Sequence, residues 1–332
     1  MAENKGIMIF GEMVDGKLSV TATELLGSGR KLADTLGEEL CAVLTGENAG
    51  EASAEAIAFG ADKVYVTEDA LLKDPQSETY TAVLEKAARE IQPRIILMGQ
   101  TTLGRDIAPR LAFRLDTCAA LDCVELDIDA ETKLLKQTRP VFGGNARAVL
   151  TCEAYPQVAT VRPKVMAPAE RDDSRQGEVI KLDAGLDAAA IKTRLVEKVT
   201  EEASGIKLED AAVIVSGGRG IGSAEGFAQL EELAKLMNGT VGASRPPCDN
   251  DWIADNRQVG LTGKIVTPDV YIAIGISGSS QHMSGCSGAK SIIAINKDPE
   301  ANIFKEARFG IVGDWKKILP GFTAKIKELM SD

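Results

Sequence analysis

Short apolar runs that stop at glycine or serine, each followed by a stretch of helical spacing, recur along this chain and restrict its fold more than any other feature. Residues 6–12 (GIMIFGE), 41–46 (CAVLTG), 94–99 (RIILMG), 211–218 (AAVIVSGG) and 271–277 (YIAIGIS) are such runs. An unbroken apolar run suits a strand covered on both faces, as in a parallel sheet with helices on either side. The 32 glycines gather at the ends of these runs, where tight strand-to-helix turns need them. With 44% hydrophobic but only 4% aromatic residues, the cores are built mainly from Ala, Val, Ile and Leu.

The spacing predicts helices over Leu25, Leu26, Gly29, Leu32, Ala33 and Leu36, and over Tyr80, Val83, Leu84, Ala87 and Ile91. Residues 54–61 and 104–115 also read as helices, and 63–68 as a strand. The pattern then changes. Residues 123–129, 133–142, 146–154 and 157–163 read as consecutive strands, expected as antiparallel additions to the sheet, with one turn at Gly143-Gly144-Asn145. Residues 167–177 are a polar loop, and 178–182 and 194–202 are candidate connecting strands. A second α/β domain starts near Lys207, so the expected domains are 1–206 and 207–332. Its strands fall at 211–218, 240–245, 269–277, 291–296 and 309–315. One helix covers 223–238, a long loop covers 246–264, and a closing helix covers 316–330, broken at Pro320-Gly321.

A net charge of −11 argues against a nucleic-acid footprint or a polybasic membrane anchor. The six cysteines form no Cys-x-x-Cys pair and have one histidine beside them, so no metal or iron–sulfur site is expected. No apolar run reaches membrane-spanning length, and residues 1–12 lack the features of a targeting signal. A soluble protein of the reducing cytoplasm is expected.

Ligands of an open parallel sheet bind outside the carboxyl ends of its strands. In the second domain those ends carry Gly217-Gly218-Arg219-Gly220, Ser244-Arg245, Ser277 to His282, Asn296-Lys297-Asp298 and Gly313-Asp314. Each has an ordinary explanation as a cap or turn. Together they predict one polar crevice for an extended, phosphate-bearing ligand. The turn at Gly218 falls short of a full Gly-x-Gly-x-x-Gly, because its last position is Ser223. From the residues alone, an AMP- or NAD-binding regulatory module without redox chemistry stays open, as does a pyridine-nucleotide dehydrogenase.

VSGGRG, GASRP, QVGLTGK, YIAIGISGSSQH, AINKDPEANIF and GIVGDW follow one another in an order and spacing that resemble the electron transfer flavoprotein α-subunit and FixB-like family. GRDIAPRLA and TRPVFGGNA extend the resemblance into the first domain. It implies two doubly wound α/β domains, the first nucleotide-hydrolase-like and facing a β-subunit, the second Rossmann-like and holding FAD. It also implies electron carriage, one electron at a time. The donors would be dehydrogenases such as acyl-CoA dehydrogenases, and the acceptor a quinone reductase, ferredoxin or flavodoxin. Some members work within electron-bifurcating complexes.

Carried onto this chain, the resemblance places Arg219 near the FAD pyrophosphate and Ser244 and Arg245 against the flavin ring. Val259, Gly260, Leu261 and Thr262 would line the ring edge. Ser277, Gly278, Ser279, Ser280, Gln281 and His282 would hold the phosphates and ribityl chain, with His282 reaching the ring's O2 side. Asn296, Asp314 and Trp315 would hold the adenosine half. Negative charge on a one-electron-reduced ring collects at N1 and C2=O, where His282 and Arg245 fit as cation or donor. Pro246-Pro247-Cys248-Asp249, Leu261 and Ser280 depart from the residues usual in the family.

Overall fold

Ile7–Phe10 forms a strand with all four side chains buried. It lies at the centre of the first of two units in the computed structural model, which describes residues 4–144, 146–189, 191–197 and 206–329. The first unit takes Met1–Val141 and Arg147–Val199, the second Phe142–Ala146 and Thr200–Asp332.

The first unit begins with β1 (Ile7–Phe10) and a small hairpin, β2 (Met13–Val14) and β3 (Lys17–Leu18). It continues through α1 (Val20–Leu36), β4 (Leu40–Gly46), α2 (Ser53–Ala58), β5 (Lys63–Glu68), α3 (Ser77–Ile91), β6 (Ile95–Gly99) and α4 (Thr102–Arg114). After these come β7 (Ala119–Cys123), β8 (Glu125–Ile128), β9 (Leu135–Val141), β10 (Ala146–Leu150), β11 (Gln157–Val161) and β12 (Glu178–Lys181). Ser19 starts α1 by accepting a bond from the Ala22 N–H at 3.1 Å, and Gly37, at φ +66°, ends it.

The large sheet runs β12-β5-β4-β1-β6-β11-β7, and every pair in it is parallel. Its two faces carry separate cores. Leu25, Leu26 and Leu32 of α1 cover one face, and Tyr80, Leu84, Ile107 and Leu111 of α3 and α4 cover the other. This is the doubly wound arrangement that the apolar runs predict.

The segment from residue 123 to 163 departs from expectation. β8, β9 and β10 form a three-stranded sheet of their own, and β8 and β9 are antiparallel. β11 is a central parallel strand of the large sheet rather than an antiparallel addition to it. The reason is burial: all five residues of β11 are buried, so it needs cover on both faces and partners at both edges. Its polar members are satisfied inside, Gln157 Oε1 accepting from the Leu135 N–H at 3.0 Å and Thr160 Oγ1 from the Asp122 N–H at 2.9 Å. Of the expected connecting strands, 178–182 supplies β12, while 194–202 falls partly outside the described residues and is irregular up to 197.

Glu12 follows β1, and both its carboxylate oxygens lie within bonding distance of the Thr101 hydroxyl, at 2.8 and 2.9 Å. Burial outweighs that bond and pushes its pKa from 4.5 to about 7. The folded carboxyl therefore keeps its proton to higher pH than the unfolded one, and stability falls as pH rises from 4.5 to about 7. Denaturation of the first unit at several pH values should show a decline on the order of 2 kcal/mol across that window. Glu12→Gln should remove the larger part of it, leaving the share of Glu24, whose carboxyl burial also pushes upward. Equal slopes in the two proteins would refute the assignment.

The second unit alternates strand and helix: β13 (Val213–Gly217), α5 (Ala224–Leu236), β14 (Thr240–Ala243), α6 (Arg245–Asp249), β15 (Val270–Ile274), α7 (Ser280–Cys286), β16 (Ser291–Asn296), α8 (Ile303–Glu306), β17 (Phe309–Val312) and α9 (Trp315–Leu329). Its sheet is fully parallel in the order β14-β13-β15-β16-β17, with the switch point between β13 and β15, whose onward connections run to opposite sides. Phe227, Leu230, Trp315 and Leu319 pack on one face, and Val259, Met283, Cys286 and Ile303 on the other. Two details differ from expectation. The loop after β14 contains α6, started by two prolines in its first turn. The last helix also runs unbroken through Pro320-Gly321, because Leu319, Phe322 and Ile326 keep one apolar face on the core. All six cysteines are free, with Cys41, Cys123, Cys248 and Cys286 buried.

Candidate functional site at the strand ends of the second unit

The carboxyl ends of β13, β14, β15 and β16 open into one cavity of about 690 Å³. The Gly-rich turn after β13 forms its floor. The Gly218 N–H bonds to the Ile274 carbonyl at 2.8 Å and the Gly220 N–H to the Gly275 carbonyl at 3.1 Å. A Cβ on Gly218 would lie 2.2 Å from the Gly275 oxygen, so only glycine allows this approach. Trp315 holds the turn from the other side, its indole N–H bonding to the Gly220 carbonyl at 3.0 Å. Arg219 projects from this turn, exposed, and pairs with no carboxylate among the described residues.

The 258–264 loop forms the opposite wall. The Val259 N–H bonds to the Ala243 carbonyl at 2.8 Å and the Leu261 N–H to the Gln281 carbonyl at 2.8 Å, which ties the loop to β14 and to α7. Thr262 accepts a bond from the Gln258 amide at 2.9 Å. Asn296 staples two strand ends, donating to the Ile276 carbonyl at 2.8 Å and accepting from the Asp298 N–H at 3.0 Å. Arg245 leans on Asp249 at 3.2 Å in an exposed pair, a weak tie that a bound anion can displace.

His282 is 5% exposed and both its nitrogens are engaged. Nδ1 lies 3.0 Å from the Val259 carbonyl and Nε2 lies 3.1 Å from the Tyr271 hydroxyl. A carbonyl only accepts, so Nδ1 carries the proton and Nε2 accepts from Tyr271. Burial pushes the imidazole pKa down to about 4, against the small upward pull of the Val259 bond. The ring is therefore neutral near pH 7 in this structure. The guanidinium of Arg245 is the cation at this wall.

The cavity gathers Arg219, Ser244, Arg245, Val259, Gly260, Leu261, Thr262, Ser277, Ser279, Gln281, His282 and Asn296. Four expected residues are not in its lining. Gly278, at φ +79°, is packed so that a Cβ would meet the Ile303 nitrogen at 2.2 Å. Ser280 is exposed on α7, where its carbonyl accepts from Ser284 Oγ. Asp314 caps α9, accepting from the Lys316 N–H at 3.0 Å, and Trp315 is turned into the core. Gly313-Asp314, at the fifth strand end, is outside the lining of this cavity. Sequence reasoning missed Tyr271 and Ser216, both fully buried within apolar strand runs. A hydroxyl in an otherwise apolar strand was the available signal.

Residues 7–187 match the family model of the electron transfer flavoprotein domain, and 207–287 match that of the electron transfer flavoprotein FAD-binding domain. The chain belongs to the electron transfer flavoprotein family. It is 49% identical over 330 residues to the electron transfer flavoprotein subunit alpha of Thermoanaerobacterium thermosaccharolyticum, covering 99% of this chain and 100% of that one. It is 45% identical over 331 residues to the subunit alpha of Megasphaera elsdenii, covering 99% and 98%. Against Protein FixB of Clostridium saccharobutylicum the identity is 42% over 332 residues, covering 100% and 99%. The cofactor of this electron transfer flavoprotein chain is FAD, and the matched FAD-binding segment contains the Gly218 turn, the 258–264 loop and His282. Among the described residues no helix is long and apolar enough to cross a membrane.

Proposed function

We propose that this chain pairs with an electron transfer flavoprotein β-subunit and holds FAD along the strand-end cavity. It takes electrons from a dehydrogenase, such as an acyl-CoA dehydrogenase of fatty-acid β-oxidation in the cytoplasm. It delivers them to a quinone reductase, or to ferredoxin or flavodoxin. The observation that carries this reading is the cavity itself: an extended polar crevice at a switch point, lined mostly by the segment that matches the FAD-binding domain.

The residues fit the cofactor. Gly218 lets the turn pack closely against the chain after β15, and Arg219 beside it suits a pyrophosphate. Ser277, Ser279 and Gln281 line the cavity where they would hold the phosphates and ribityl chain. Ser244, Arg245, Val259, Gly260, Leu261, Thr262 and His282 would surround the ring, and Asn296 would hold the adenosine half. Gly278 shapes the loop backbone and Trp315 holds the Gly218 turn, while Ser280 and Asp314 would reach the phosphates and the adenosine half. FAD, when bound, supplies the redox chemistry. The chain orients it, excludes water from one wall and offers Arg245 to developing negative charge.

Arg219→Ala should lose FAD during gel filtration of the heterodimer, with a retention at least tenfold weaker, while its folded stability stays unchanged. Stoichiometric FAD in that variant would remove Arg219 from the pyrophosphate. The reading as a whole is tested by counting FAD per heterodimer during stepwise anaerobic reduction. One FAD, reduced in two separate one-electron stages, means a simple carrier. Two FADs with NADH as a competent reductant mean an electron-bifurcating complex. A folded heterodimer without flavin means a non-redox nucleotide module.

A further inference from the structure

Three side chains from three elements meet beneath the cavity wall. Tyr271 of β15 is 0% exposed, Ser216 of β13 is 0% exposed, and His282 opens α7. The β13–β15 register sets Ile214 beside Tyr271 and Ser216 beside Ala273, so Ser216 and Tyr271 share one face of the sheet. The Tyr271 hydroxyl donates to His282 Nε2 at 3.1 Å. Ser216 Oγ and Cys286 Sγ lie within hydrogen-bonding reach of the same hydroxyl, and with that hydroxyl turned to His282 the Ser216 oxygen is left without a partner. A buried oxygen without a partner is costly, and an oxygen with lone pairs to spare can accept.

We propose that Tyr271 and Ser216 form a hydroxyl switch that lets His282 take up a proton when bound FAD is reduced. With neutral His282, Tyr271 O–H points at Nε2. When a solvent proton adds to Nε2, the new N–H donates to the Tyr271 oxygen, and the Tyr271 O–H turns to Ser216 Oγ. One O–H···N bond is exchanged for one N–H···O and one O–H···O bond, and no electron moves in this step. Nδ1–H keeps its bond to the Val259 carbonyl throughout, so the 258–264 loop is undisturbed. Tyr271 and Ser216 are positioning residues here, since neither lines the cavity.

The charged groups around the cavity are Arg219, Arg245, Asp249, Lys297 and Asp298. Cys286 and Tyr271 are the titratable groups packed near the ring, and burial pushes both upward, so each stays neutral. The causes that set His282 in the FAD-free chain are burial and the Val259 carbonyl, not any of these charges. Negative charge arriving beside the imidazole opposes the burial effect directly. This inference rests on FAD lying in the cavity.

The chain has a single histidine, so ¹⁵N-histidine labelling of this subunit reports His282 alone. The heterodimer is studied with its FAD content measured by absorbance, oxidised and then fully reduced with dithionite at one neutral pH. The expected spectra show one protonated nitrogen when oxidised and two when reduced. Ser216→Ala keeps the oxidised spectrum, because the lost oxygen had no partner. It shifts the protonation of the reduced protein about one pH unit lower, a tenfold loss of the doubly protonated ring. Tyr271→Phe moves the oxidised Nε2 signal to that of an unbonded nitrogen. FAD-loaded protein whose imidazole keeps one proton in both states overturns the switch alone, as does a Ser216→Ala titration equal to wild type. Folded heterodimer that carries no FAD overturns both the switch and the reading beneath it.

Discussion

Gly218→Ala is expected to cost the second unit about 3 kcal/mol or more and to abolish FAD retention. The added carbon would sit 2.2 Å from the Gly275 oxygen, 2.6 Å from its carbonyl carbon and 2.7 Å from Ile276 Cα. All three are backbone atoms at the end of β15, and none can turn aside as a side-chain tip would. Relief requires breaking the bond from the Gly218 N–H to Ile274, which opens the sheet at its switch point. The check is a denaturant titration that follows Trp252 and Trp315, both in this unit, with FAD release measured in parallel. Gly222→Ala is the comparison. It has a positive φ of +92° but nothing within 4 Å of its would-be Cβ, so it should cost only about 1 kcal/mol. Equal losses in the two variants would show that contact at Gly218 is not the cause.

Arg162→Met should destabilise the first unit by about 3 kcal/mol. Its guanidinium grips Asp122 with two bonds, at 2.9 and 2.6 Å, where the side chains are only 8% and 19% exposed. Removing the cation leaves Asp122 charged and nearly buried at the irregular junction of β7 and β11. The Asp122→Asn and Arg162→Met double variant should recover most of the loss, because asparagine tolerates the φ of +64° found there and carries no charge. Urea midpoints of the four proteins in the cycle decide the matter. A single-variant loss below about 1 kcal/mol would mean that the pair is effectively solvated.

The parts of the fold legible in the sequence were those in which one physical demand acted alone. IMIF is apolar throughout, and CAVLTG and VIVSGG are so but for Thr45 and Ser216, because both faces are covered. β11 was harder to assign, since Gln157 and Thr160 carry the polar look of a half-exposed strand while bonding inside the core. β7 went unrecognised because AALDC is short and mixes apolar residues with a paired carboxylate. In the site, residues on turns could be read from chain order, as Arg219, Ser244 and Asn296 illustrate. Side-chain direction could not. Trp315 follows a strand end yet points inward, and the charge state of His282 is set by its burial and by a carbonyl 23 residues earlier in the chain.

The order of strands in the first sheet has a consequence for synthesis on the ribosome. β11 sits between β6 and β7, and β7 forms its ladder with β11 alone among the described residues. At about 5–20 residues per second, several seconds pass between emergence of β6 and completion of β11. Throughout that interval β6 presents an unpaired apolar edge and β7 has no neighbour to join. A nascent chain paused within the three-stranded excursion offers that edge to any other strand nearby, so the speed of translation across residues 100–156 bears directly on how much of the protein escapes aggregation.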